Sequence, residues 1–109
     1  MSEILTLQLP KDGTRTPDFM ADYTLVEEND KLVATHGWIN APNRGDEIMT
    51  IIQDELQHLA SGRNKTVIHR FEAQTLKGKK LIQRYPDYRW VGRSSTNDPV
   101  YEKEFLPAS

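Results

Sequence analysis

The chain contains no cysteine, and this absence excludes several kinds of chemistry. Without a thiol there is no disulfide framework, no thiolate nucleophile and no cysteine-based zinc site. The first residues, MSEILTLQLPKDG, also lack the basic region and apolar stretch of a secretory signal. Because nothing here points to export, we expect a cytoplasmic protein.

Long apolar runs are also missing. No stretch approaches the roughly 18 consecutive apolar residues that a membrane span needs, so we expect no membrane partner. Hydrophobic residues make up 37% of the 109 residues and charged residues 28%. This balance is typical of a folded domain, and the length predicts a single domain over residues 1–109.

The net charge of −2 conceals an asymmetry between the two halves of the chain. Residues 1–62 contain four Lys or Arg against eleven Asp or Glu, whereas residues 63–109 contain ten basic residues against five acidic ones. A basic half can attract the phosphates of a coenzyme or of a nucleic acid. The alternative is that the two halves neutralise each other within one fold.

The hydrophobic pattern predicts six strands. Leu5, Leu7 and Leu9 alternate with polar residues, and Pro10 stops the run. Two β-favouring runs in residues 23–39 flank Asn29-Asp30, which predicts a tight hairpin because Asn and Asp tolerate positive φ. Three more strands are predicted at 66–73, with Val67, His69 and Phe71 on one side, at 88–93 and at 100–105.

Two helices separate these strands. The apolar residues of 46–60 recur at helical spacing, and Gly62 suits a C-terminal cap. A shorter basic helix spans 76–84, before Pro86. The predicted fold is a single α+β domain with the order β-β-β-α-β-α-β-β. Its sheet is mixed and mainly antiparallel, since a long helix between two strands suggests a parallel crossover.

The turn INAPNRGDEI, residues 39–48, has the placement of a phosphate cradle, with a strand before it, Gly45 at the turn and a helix after it. Its chemistry opposes that role, because Asp46 and Glu47 put two negative charges where an anion would bind. Both acids favour the start of a helix. We therefore expect a well-capped connection, unless backbone N–H groups are free and splayed strands open a cleft beside residues 40–46.

Two C-terminal stretches, KKLIQRYPDYRWVG (79–92) and VYEKEF (100–105), resemble the short helix and last strands of the GNAT superfamily of acetyl-coenzyme A-dependent N-acetyltransferases. The resemblance covers about the last three-quarters of the chain. It implies a GNAT-like fold with acetyl-coenzyme A at the start of the 46–60 helix. The residues it implies for coenzyme binding are Asn43, Arg44, Gly45, Lys77, Lys79 and Lys80.

The chain departs from the family pattern in three places. The pyrophosphate loop has one glycine where the family has two. Gln83 stands where the family often has a Tyr that acts as general acid, and a Gln cannot donate a proton usefully. The opening helices that help to form the family's acceptor site are absent. The resemblance therefore implies the fold more than the activity, and no catalytic residue is assigned.

A second candidate surface combines basic and aromatic residues, which can follow a phosphate backbone and stack on bases. This patch comprises Arg84, Arg89, Trp90 and Arg93. The structural alternative is that Tyr88 and Trp90 alternate inward as core residues while Arg89 and Arg93 face outward. We favour that alternative because aromatic and basic residues alternate with a period of two, as they do in a strand with one buried face.

The three histidines, His36, His58 and His69, show no metal-ligand spacing, so we expect no metal site. His36 precedes the 39–48 turn and is the best placed of them for a general base. Two functions stay open: a degenerate acyltransferase-like domain that binds coenzyme A, and a non-catalytic binding module for a protein or a nucleic acid. A homodimer is a third alternative.

Overall fold

The computed structural model describes residues 5–108, which form one six-stranded mixed sheet and two helices. The order β-β-β-α-β-α-β-β and the α+β class are confirmed. The strands are β1 (Leu5–Leu9), β2 (Met20–Glu28), β3 (Lys31–Asn40), β4 (Val67–Glu72), β5 (Arg89–Arg93) and β6 (Pro99–Phe105). The helices are α1 (Gly45–Arg63) and α2 (Leu76–Ile82).

The strands lie in the order β1-β2-β3-β4-β6-β5, and every neighbouring pair is antiparallel except β3 and β4. That parallel pair is joined through α1, as the crossover argument predicts. The β2–β3 hairpin turns at Asn29 and Asp30, with φ of 52° and 65°. Both residues adopt the left-handed backbone conformation, so the predicted hairpin tip is confirmed.

Both helices cover the same face of the sheet. Ile52 and Leu56 of α1 are fully buried in the core that β1 to β4 line with alternate side chains. Leu81 of α2 packs beside Gly45, and Gly78 lies against Phe71 of β4. Within residues 5–108, no helix covers the opposite face.

The C-terminal cap of α1 differs from the prediction. The helix runs through Gly62 to Arg63, and Asn64 adopts the left-handed conformation with φ 51° and ψ 46°. The N–H of Asn64 and that of Lys65 both donate to the carbonyl of Ala60. Asn is the residue besides Gly that occupies this position at low cost, so the cap lies two residues later than Gly62.

Candidate ligand cleft between two diverging strands

The parallel strands β3 and β4 pair over a short stretch and then separate. Their pairing covers Leu32–Ala34 and Val67–His69. Beyond it, β3 continues to Asn40 and β4 to Glu72, each paired only with its outer neighbour. The sheet is therefore open between the ends of these two strands.

A bulge at His36 and Gly37 accompanies the separation. Thr24 pairs with Thr35 and Asp22 with Trp38, so two residues of β3 stand opposite Tyr23. His36 has a φ of 53°, and a bulge of this kind bends its strand. Position 37 requires glycine, because the Cβ of any other residue would collide with the ring of Tyr23. The single Gly within this strand marks both the bulge and a close approach.

The opening forms a cleft of about 1010 Å³. We call it the strand cleft. Its floor includes Tyr23 and Phe71, and the turn 41–47 and the start of α2 form its walls. This volume is at the upper end of the range of small-molecule sites. A cleft beside residues 40–46, the condition under which the turn 39–48 could hold a phosphate, is thus present.

The first backbone N–H groups of α1 face no acceptor within the described chain. Arg44 is the N-cap, and its side chain makes no capping hydrogen bond. No acceptor among residues 5–108 receives a hydrogen bond from the N–H of Gly45, Asp46 or Glu47. The expected well-capped connection is therefore wrong. These three residues line the strand cleft, where the positive end of the helix dipole favours an anion.

The two acids at this helix start are paired with cations. Glu47 accepts a hydrogen bond from the guanidinium of Arg44, which lowers the pKa of the Glu47 carboxyl. Asp46 accepts a hydrogen bond from the hydroxyl of Tyr85 at 2.8 Å and forms an ion pair with Arg84 at 3.3 Å. The negative charges that oppose anion binding are thus largely compensated, although these surface pairs are screened by solvent.

Five of the six residues that the resemblance implies for coenzyme binding line the strand cleft. They are Asn43, Arg44, Gly45, Lys77 and Lys80. Lys79, on the same helix, does not line it. Neither Lys77 nor Lys80 has an ion-pair partner among residues 5–108. The cleft wall therefore carries two ammonium groups that are not neutralised.

Trp38 is a cleft residue that the sequence pattern did not indicate. Its side chain is 61% exposed, although it belongs to β3 and lines the strand cleft. A large exposed aromatic side chain in a concave site supplies a stacking surface for a planar ligand group. The Gly37-Trp38 pair in the strand sequence was the available signal, since Gly within a strand marks an irregularity.

A buried histidine lies at the point where the strands separate. Nδ1 of His69 is 2.6 Å from the hydroxyl of Tyr88, and Nε2 is 2.7 Å from the hydroxyl of Tyr23. Burial lowers the pKa of His69 to about 3, with a smaller effect of Lys103. The imidazole is therefore neutral at physiological pH, and the tyrosine hydroxyls satisfy both ring nitrogens.

Gln83 stands where the family often has its general acid, and the structure brings no proton donor among residues 5–108 to that position. Gln83 is exposed and does not line the strand cleft. Tyr85, two residues later, donates to Asp46, and burial together with that hydrogen bond raises its pKa to about 12. A phenol of this pKa is a weak acid toward a thiolate, whose ordinary pKa is about 8.5.

The predicted nucleic-acid patch is not brought into one cavity. Arg84 lines the strand cleft, Arg93 lines a second cavity on the other face of the sheet, and Arg89 and Trp90 line neither. Tyr88 is buried as expected, but Trp90 is 60% exposed, so the prediction that Trp90 is a core residue is wrong. Trp90 pairs with Tyr101 on the helix-covered face, yet β5 is the sheet edge.

The remaining histidines lie apart from the cleft. His36 is exposed at the bulge and lines the second cavity, and His58 is exposed on α1. Among residues 5–108, no group of three or more His, Asp or Glu side chains could hold a metal ion. No helix in that range is long and apolar enough to cross a membrane.

Comparison with known proteins gives little further information. No family model matches the chain, and no curated protein matches its sequence. Among solved structures, the chain is similar to a domain from Methanocaldococcus jannaschii DSM 2661 with a TM-score of 0.45 and 10% identity. That match covers 96% of this chain and 100% of the archaeal domain. A TM-score at this level is too low to establish a shared fold.

Proposed function

We propose that the chain is a small GNAT-like domain that binds coenzyme A in the strand cleft. The observation that carries the proposal is the divergence of β3 and β4 beside the start of α1. The N–H groups of Gly45, Asp46 and Glu47 have no acceptor among residues 5–108, and the three residues border the opening. A pyrophosphate is the type of group that free N–H donors at a helix start bind.

The charges around the cleft support an anionic ligand. Lys77 and Lys80 have no ion-pair partner within residues 5–108 and line the same cleft as the turn 41–47. The pairing of Asp46 with Arg84 and of Glu47 with Arg44 reduces the repulsion that those acids would otherwise exert. The second glycine of the family loop is missing, so we expect weaker binding than in a complete loop.

Binding is proposed without an assigned catalytic residue. The cleft holds Tyr23, but its hydroxyl is buried against His69, and burial raises its pKa. Tyr85 is held by Asp46, and Gln83 lies outside the cleft. The hydroxyls of Tyr23 and Tyr85, whose pKa values are raised, are therefore poorly suited to protonate a leaving thiolate. The proposal is therefore a binding domain, with acetyl transfer as the activity to test.

The direct experiment is calorimetric titration with coenzyme A and acetyl-coenzyme A, with thermal unfolding in parallel. Binding should raise the melting temperature, because a ligand that binds only the folded state stabilises it. No heat and no shift at millimolar ligand would overturn the proposal. Incubating the protein with acetyl-coenzyme A and an amine panel then measures thiol release.

Paired variants locate the site. Lys77→Glu with Lys80→Glu should weaken coenzyme A binding about tenfold or more, because two unpaired cations become anions. Lys79→Glu makes the same kind of charge reversal on the same helix outside the cleft and should have a much smaller effect. Equal losses in the two variants would indicate a general charge effect rather than this site.

Nucleic-acid binding is the second candidate, and the exposure of Trp90 favours it. Trp90 is 60% exposed between Arg89 and Val91 on the edge strand β5. An exposed ring beside a guanidinium can stack on a base while the cation contacts phosphate. A salt-dependent gel shift with short single-stranded oligonucleotides tests it. Arg89→Glu with Trp90→Ala should abolish the shift, whereas Arg63→Glu, at the end of α1, should not.

A further inference from the structure

A second cavity lies on the face of the sheet that no described helix covers. It measures about 680 Å³ and opens between the outer part of β4, the strand β5 and the loop that follows β5. Its charged and hydroxyl-bearing lining includes Arg70, Glu72, Glu102, Arg93 and Ser95. We call it the open-face cavity.

The open-face cavity and the strand cleft meet at the end of β4. Arg70, Glu72 and Gln74 line both of them. These residues follow His69, the last residue of β4 that pairs with β3, so the gap between the diverging strands joins the two faces of the sheet. A ligand in the open-face cavity would therefore border the strand cleft.

Arg70 of the open-face cavity pairs with two acidic side chains. Arg70 donates through Nε to Glu102 at 2.7 Å, and through its two terminal nitrogens to both oxygens of Glu28 at 3.2 Å. This network lowers the pKa of the Glu28 carboxyl and raises that of Arg70. One guanidinium therefore pairs with two carboxylates, so this network keeps one net negative charge.

Two opposite charges in this cavity have no counterion in the described chain. Glu72 accepts a hydrogen bond from the side-chain amide of Gln74 at 3.0 Å, and it forms no ion pair within residues 5–108. Arg93 donates from Nη1 to the carbonyl of Asn97 at 2.9 Å and likewise has no acidic partner in that range. The cavity therefore offers one unpaired anion and one unpaired cation.

The sheet holds these two groups apart. Glu72 of β4 pairs with Val100 of β6, and Arg93 of β5 pairs with the preceding residue, Pro99, so β6 lies between the backbones of Glu72 and Arg93. Two strand spacings place the backbones on the order of 10 Å apart. Ser95 lines the same cavity, and its hydroxyl makes no hydrogen bond among the described residues. Val91 and Val100 supply apolar surface between the polar groups.

We propose that the open-face cavity binds a small zwitterion of the amino-acid type, with its ammonium at Glu72 and its carboxylate at Arg93 and Ser95. A ligand that carries both charges satisfies both unpaired side chains, whereas a simple amine or a simple acid satisfies one. The guanidinium of Arg93 matches a carboxylate in geometry as well as in charge. This site does not depend on coenzyme A binding and is measured without it.

The test is an NMR titration of the ¹⁵N-labelled protein with L-leucine in the absence of coenzyme A. Leucine should shift amide signals from residues 72–74 and 92–96. Leucinamide, which lacks the carboxylate, and N-acetyl-leucine, which lacks the ammonium, should each bind about tenfold or more weakly. No shift at millimolar leucine, or equal binding of either analogue, would overturn the proposal.

Variants test the two side chains separately. Glu72→Gln and Arg93→Gln should each weaken leucine binding about tenfold or more, while Arg93→Lys should retain part of it. Arg89→Gln is the matched control, because Arg89 belongs to the same strand but lies outside the cavity. Undiminished binding in Arg93→Gln would overturn the assignment of the carboxylate. If a variant does not fold, the comparison of the three ligands with the parent protein still decides the proposal.

Discussion

Nε2 of His69 lies 2.7 Å from the hydroxyl of Tyr23, at the last paired residue before β3 and β4 separate. The hydroxyl of Tyr88 occupies the other ring nitrogen at 2.6 Å. The two tyrosines come from β2 and from the segment after α2, so the imidazole joins distant parts of the chain below the strand cleft. Because neutral imidazole has one donor and one acceptor nitrogen, one tyrosine donates to the ring and the other accepts from it.

This arrangement predicts a specific loss of stability in mild acid. His69 stays neutral in the folded protein down to pH of about 3, whereas in the unfolded chain it takes up a proton below its ordinary pKa of 6.5. The contribution of neutral His69 to the free energy of unfolding is therefore fully present above pH 6.5, and it decreases as the pH is lowered below that value. We expect the free energy of unfolding to drop by about 1 kcal/mol per pH unit between pH 6 and 5.

Urea denaturation at pH 7, 6, 5.5 and 5 measures this slope. His69→Gln, whose amide can donate to one tyrosine and accept from the other, should nearly remove the slope in that window, whatever its absolute stability. The exposed His58 supplies the control His58→Gln, which should keep the slope of the parent. An unchanged slope in His69→Gln would show that another group titrates.

The bulge at Gly37 gives a second prediction. Gly37→Ala should destabilise the protein by about 1–3 kcal/mol, because the new methyl group collides with the ring of Tyr23 and must displace it or the strand. Tyr23 is also part of the cleft floor, so coenzyme A binding should weaken as well. Thermal unfolding and calorimetric titration measure the two effects. A variant with the stability and affinity of the parent would contradict this packing.

The core of α1 gives a third prediction. Leu56 is fully buried against the sheet, so Leu56→Ala should lower the free energy of unfolding by about 2–5 kcal/mol. Leu106 is 63% exposed, and Leu106→Ala should change it by less than about 0.5 kcal/mol. Denaturant unfolding compares the same chemical change at two depths. Similar losses at the two positions would contradict the placement of α1.

The fold was predictable because its signals are local. Alternation places Val67, His69 and Phe71 on one side of β4, and all three are buried there. Helical spacing identifies α1, and the Asn29-Asp30 pair identifies the hairpin. Alternation predicts on which face of the sheet a side chain lies, but it does not predict how far neighbouring elements bury that side chain. Trp90 shows this limit, since it lies on the helix-covered face but at the edge of the sheet.

The site was predictable only in part, because its chemistry depends on distant contacts. The sequence indicated the turn at Gly45 and the acids that follow it. It could not indicate that Arg84 and Tyr85, nearly forty positions later, hold Asp46. It also could not indicate where β3 and β4 part, since separation depends on a bulge opposite Tyr23.

The C-terminal end of α1 gives the last prediction, and it distinguishes two positions for the cap. Asn64 is left-handed, so Asn64→Ala should destabilise the protein by about 1 kcal/mol, since a side chain with Cβ and no polar group is strained there. Gly62 lies within the helix, and a Cβ at this position would meet no atom within 4 Å apart from its chain neighbours and the backbone of the same helix. Gly62→Ala should therefore stabilise the protein by about 0.5–1 kcal/mol. Asn64→Gly should be close to neutral. Denaturant unfolding of the three variants decides the matter, because a cap at Gly62 would make Gly62→Ala destabilising and leave Asn64→Ala nearly neutral.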